Sequence, residues 1–134
     1  VAVIDNRTGS FSGLEPDWGH RAIHLVDVLA VLLRRGTRLT IATRNDDHNQ
    51  RFLRRIETAA ESQGLRERLL IREDDEEHLH AKGLLGDDYH LSGSMNLTER
   101  GIRLNDENVV FTLGRDAVSA ARVNFRETYG VPDA

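Results

Sequence analysis

HAKGLLGDDYHLSGSMNLTERGIRLNDEN, residues 80–108, is the stretch on which the reading of this chain turns. From His78 to Leu85 and from Tyr89 to Ser94 it reads as two strands joined by a tight turn at Gly86-Asp87-Asp88. His80 and Lys82 are two residues apart, so on a strand their side chains share a face. The turn folds Gly93-Ser94-Met95-Asn96 back beside them, and Gly93 lets the backbone approach closely. One imidazole, one ammonium, one hydroxyl and one amide are thereby gathered. Such a set can hold the oxygens of a phosphodiester, stabilise developing negative charge and supply an attacking atom. Lys82 is also the only lysine, beside 17 arginines. An ammonium is a compact point charge and a guanidinium a planar fork. A lone lysine therefore raises the question of what chemistry needs the smaller cation there.

Outward from this stretch the chain alternates in type. Downstream, 96–105 reads as a loop or short helical turn, and Asn108–Leu113 (NVVFTL) as a strand. Arg115–Tyr129 reads as a helix with Ala117, Val118, Ala121 and Phe125 at helical spacing, followed by a frayed tail. Upstream, Leu69–Ile71 is a strand. Before it lies a helix over about 47–63, capped by Asn45 or Asp46, with Phe52, Leu53, Ile56 and Ala60 on one face and Gly64 at its end. Arg38–Thr43 is a strand. The apolar run Ala22–Leu33 predicts a deeply packed helix over 18–35, with Asp17 as N-cap and Gly36 just past its end. Residues 6–17 read as a loop and Val1–Ile4 as a short buried strand. This order predicts an α/β fold, a mixed parallel and antiparallel sheet layered with helices.

At 134 residues the chain is one domain's length, 1–134, with room for a substantial core. Hydrophobic residues at 39% and charged residues at 30% argue against disorder. The longest apolar run, Val28–Leu33, stops at Arg34-Arg35 and is far short of a membrane span. No membrane partner is expected. The chain begins at Val1 and its one methionine is Met95, so it reads as a piece of a longer chain or one without its initiator, and a missing leader weighs little. The absence of cysteine removes disulfides, thiolate zinc sites and thiol catalysis, and suits the cytoplasm. The net charge of −4 is local in origin. Setting aside the run Glu73-Asp74-Asp75-Glu76-Glu77 leaves 18 basic against 17 acidic residues, so the acidity does not argue against a nucleic-acid partner.

The order His80-x-Lys82, Asp87 five residues on, Gly93-Ser94-x-Asn96, and then Asn105-x-Glu107 resembles the phospholipase D superfamily, whose signature is His-x-Lys-x4-Asp, Gly-Ser-x-Asn and a downstream Asn-x-Glu. The resemblance extends over the order of elements from about Ala22 to Phe125. Only five residues separate Asp87 from Gly93, fewer than in many members, so the hairpin must be tight. The resemblance implies a metal-independent phosphodiesterase without cofactor. His80 would attack phosphorus and form a phosphohistidine. Lys82, Ser94 and Asn96 would bind phosphate oxygens. Glu107 would fix the tautomer of His80, and Asp87 and Gly93 would serve the hairpin. The family uses two such motifs per site and this chain has one, so a homodimer is implied, with the second histidine as general acid. Short single-motif members are often nucleases, which favours DNA or RNA as substrate and a place in a DNA-processing or defence complex. A phospholipase or phosphatidyl transferase is the alternative of the same chemistry. A non-catalytic binding or dimerisation module, or half of a longer enzyme, are the others.

Other residues carry weaker signals. His78, in phase with His80 beside the acidic run, suggests a metal site, but a solvated loop is the commoner outcome of such a run. His24 and Asp27 read as a hydrogen bond within a buried helix rather than a catalytic pair. The facing of His90 relative to His80 depends on the hairpin register. Trp18 and an aromatic content of 5% offer no stacking platform for single strands. Arg51, Arg54 and Arg55 read as a solvated face, with phosphate contact as the alternative.

Overall fold

The computed structural model describes residues 3–4, 6–74, 83–93 and 109–132, which fall into two compact units, Val1–Glu76 and Glu77–Ala134. The first unit is built around a strand–helix–strand segment. β3 (Leu39–Arg44) runs parallel to β4 (Leu69–Asp74), with Leu39 opposite Leu69 and Ile41 opposite Ile71. The connection between them is α2 (Asp47–Ser62), because parallel neighbours need a long crossover. Asp46 caps α2, its carboxylate accepting from the Asn49 N–H at 2.9 Å, and Gly64 leaves the helix at a positive φ of 67°.

The core of this unit joins α1 (Leu25–Arg34), α2 and the sheet. Val26, Leu33, Ile56, Ala60 and Leu69 are buried, and Leu39, Ile41, Phe52 and Ile71 pack against them. The period-2 positions of β3 and β4 thus meet the period-3.6 stripe of α2. A second cluster, Trp18, Ile23 and Val31, lies against Phe11 and Leu14. Trp18 is a core residue, not a stacking surface.

The long first helix is corrected. Pro16–Trp18 is a single 3₁₀ turn, β2 (Ile23–His24) pairs antiparallel with β1 (Val3–Ile4), and α1 begins only at Leu25. The cause is Gly19, whose φ of 50° and ψ of −118° cannot belong to a helix. Asp17 caps nothing. His24 is the N-cap of α1, and the Asp27 carboxylate accepts from its backbone N–H at 2.8 Å. The pair is a partly exposed helix cap, not a core hydrogen bond, with side chains 41% and 33% exposed. Glu73 and Asp74 of the acidic run belong to β4 rather than to a loop.

The second unit is antiparallel. β5 (Gly83–Leu85) pairs with β6 (His90–Gly93), which pairs with β7 (Val109–Thr112), and α3 (Arg115–Tyr129) follows. Parallel and antiparallel pairing both occur, but in separate sheets among the described residues rather than in one mixed sheet. Among the described residues β7 is an edge strand, and its Val110 and Phe111 are exposed.

Ile56 is wholly buried in the first core. Ile56→Ala is expected to cost about 2–5 kcal/mol of stability and Asp46→Ala about 1 kcal/mol, both read by denaturant unfolding.

Candidate active site

The hairpin register decides what the second unit can assemble. Gly83 lies opposite Ser92, Leu84 opposite Leu91 and Leu85 opposite His90. On the other side Gly93 lies opposite Val109 and Leu91 opposite Phe111. The start of β5, the end of β6 and the start of β7 are therefore side by side at one end of one sheet. Each of these strand ends is joined covalently to a motif segment. Lys82 is the residue before Gly83, Ser94 the residue after Gly93, and Glu107 is two residues before Val109. His80, Lys82, Ser94, Asn96 and Glu107 themselves lie outside the described residues, as do His78 and residues 75–77 of the acidic run.

Asp87 sits at the opposite end, in the turn Gly86–Tyr89, where the Gly86 N–H donates to the Tyr89 carbonyl at 3.0 Å. Its side chain is almost fully exposed. The Arg122 guanidinium, from α3, donates to the carbonyls of Gly86 at 3.1 Å and Asp87 at 2.9 Å, and to the Asp87 carboxylate at 3.3 Å. Asp87 lies four residues along the chain from Gly83, beyond the strand Gly83–Leu85 and inside the turn. Asp87 is thus held at the turn, away from the end that carries the other motif segments.

Two residues of this arrangement escaped the reading of the sequence. Arg122 is one arginine among many on a helix, and nothing local marks it. Gly83 could have been found, since a glycine inside a strand signals close backbone approach. A Cβ on Gly83 would land on the Leu91 carbonyl oxygen, with the Ser92 Cα 3.3 Å away. Gly93, singled out for this reason in the sequence, ends β6 opposite Val109. The facing of His90 follows from the register: it shares a face with Ser92 and with Leu85 across the strand pair, opposite to Leu84 and Leu91.

The chain matches, over residues 16–129, the family described as cardiolipin synthase, PLD-like domain. That span covers most of the chain and includes every motif residue named above, and the chain belongs to this family within the phospholipase D superfamily. Membership points to phosphodiester hydrolysis or transfer as the reaction class. No curated protein matches the chain. No helix among the described residues is long and apolar enough to cross a membrane.

Gly83→Ala is expected to force the two hairpin strands apart, costing about 1–3 kcal/mol. Arg122→Ala is expected to cost about 1–2 kcal/mol by freeing two turn carbonyls, and Gly83→Ala and Arg122→Ala act at opposite ends of the hairpin. Thermal melting checks both. A hairpin as stable in Gly83→Ala as in the parent would contradict the register.

Proposed function

We propose that the chain is a metal-independent phosphodiester hydrolase that cleaves nucleic acid as a homodimer, through a phosphohistidine on His80. The observation that supports this most directly is the alignment of Gly83, Gly93 and Val109 at one sheet end, since the His-x-Lys, Gly-Ser-x-Asn and Asn-x-Glu segments all attach there. Family membership supports the reaction class. Because the match runs across both compact units, the reading treats 1–134 as one functional domain.

In this reading His80 and Lys82, two residues apart, present their side chains to one face. An imidazole nitrogen of His80 attacks phosphorus, the P–N bond forms, and the P–O bond to the leaving oxygen breaks. The partner subunit's His80 gives its proton to that oxygen. It then takes a proton from a water molecule, which attacks phosphorus and breaks the P–N bond. Lys82, Ser94 and Asn96 hold the non-bridging oxygens and stabilise the charge that grows on them. Glu107 accepts a hydrogen bond from the far nitrogen of His80 and so positions the attacking one. Lys82 and the partner subunit's Lys82 supply the positive charge that a metal would otherwise provide.

The description of the matched family supports a second reading, phosphatidyl transfer on lipid, with the same residues in the same roles. Plasmid nicking in excess chelator, run beside conversion of phosphatidylglycerol vesicles, separates the two. The expected result is nicking that survives chelator, comes from a dimer in solution, and falls at least about 10³-fold in His80→Ala. Turnover of the vesicles alone would establish the lipid reading. A folded dimer that binds and never turns over either substrate would defeat both.

A further inference from the structure

We infer that the groove between α1 and α2 is a docking surface for the phosphodiester backbone of a polynucleotide, a proposal that rests on the nuclease reading and extends it. The groove measures about 480 Å³ and is lined by Arg51, Arg54, Arg55 and Thr58 of α2 and by Asp27 and Ala30 of α1. The three arginines stand at i, i+3 and i+4, so they share one helix face, with about 5–6 Å between Cβ atoms. All three are exposed.

Their freedom distinguishes them from most arginines around them. Arg34 pairs with Glu15 at 2.8 Å, Arg66 with Glu57 at 3.2 Å, and Arg35 and Arg68 donate to the carbonyls of Leu14 and Leu33. Arg51, Arg54 and Arg55 have no ion pair or hydrogen bond to any described residue. The one carboxylate in the groove is already engaged, since Asp27 accepts from the His24 N–H. Three guanidinium forks lining a shared groove, against a single carboxylate there, leave a net positive charge that matches phosphate oxygens.

A bilayer is the poorer match. A helix that lies on a membrane inserts an apolar face. The apolar side of α2, Leu53, Ile56 and Ala60, is buried in the core and has nothing left to insert. The groove is open, and Ala30, Thr58, Ala59 and Ser62 line it beside the arginines, which leaves room for a polyanion.

The test is binding of a short fluorescent duplex by the full chain carrying His80→Ala, so that cleavage does not intervene. Adding Arg51→Gln, Arg54→Gln and Arg55→Gln together is expected to weaken binding about tenfold or more and to lower the salt slope by about 2 to 3, at roughly 0.9 per lost phosphate contact. Removing the same charge through Arg21→Gln, Arg38→Gln and Arg115→Gln is expected to lower it by less. Equal losses in the two sets, or no loss in the first, would overturn the proposal. A selective loss of binding to phosphatidylglycerol vesicles instead of duplex would overturn it too. Should the triple variant melt early, the single substitutions decide, each lowering the slope by about 1. Chelator-resistant nicking by the parent chain is read separately. Its absence alongside an intact arginine effect would fail the nuclease reading and leave the groove standing.

Discussion

The Leu91 carbonyl oxygen occupies the space that a side chain at position 83 would need. That contact fixes which residues of β5 and β6 face each other. A strand pair slipped by one residue would turn every side chain to the opposite face and move the strand ends out of line. With Gly83 opposite Ser92 and Gly93 opposite Val109, three chain segments enter and leave the sheet at one end. A glycine here weakens the strand intrinsically, and the close approach it permits is what makes that weakness tolerable.

The connections at the two ends of this sheet do different things. At the turn end, a four-residue link between β5 and β6 is closed by its own backbone bond and by Arg122. Loop closure over so short a link costs little, and the clamp spends a charged side chain on two carbonyls that would otherwise depend on water. At the other end the links are longer and carry the chemistry-bearing residues. A clamped turn at one end and longer connections at the other is the common division between scaffold and loop. It also sets the aspartate of the sequence motif at the turn end of the hairpin.

How much of this was legible depended on whether local and tertiary signals agreed. α2 was readable because a cap, a periodic stripe and a terminal glycine coincided, with Asp46 and Gly64 bracketing it. α3 was readable from its apolar spacing alone, its N-cap being Gly114 with no side-chain bond. The start of α1 was not, because the apolar residues before Leu25 look the same whether they face a helix core or a sheet. Ile23 is wholly buried, but in a strand, and the deciding event is the backbone of Gly19, which no periodicity reveals. β5 and β6 were legible as a hairpin from Gly86-Asp87-Asp88. Their register was not, since it rests on a contact between Gly83 and Leu91 that sequence spacing does not encode. The site residues were named from the motif alone, and the structure adds the geometry of the strand ends to which they attach.

A single His-x-Lys motif per chain has a consequence for the proposed reaction that no single subunit can avoid. An imidazole whose nitrogen has just bonded to phosphorus cannot at the same moment deliver a proton to the departing oxygen on the far side. In-line displacement places nucleophile and acid on opposite faces of the phosphorus, so the two roles need two rings. A two-fold axis supplies the second ring at no cost in sequence, and it gives both rings the same surroundings. Which ring attacks is then chosen by the polarity of the bound strand and not by the protein. A docking surface for the strand, such as the arginine groove proposed on α2, would be duplicated by the same symmetry. It would break that equivalence when only one copy is occupied, turning a symmetric pair of histidines into a nucleophile and an acid.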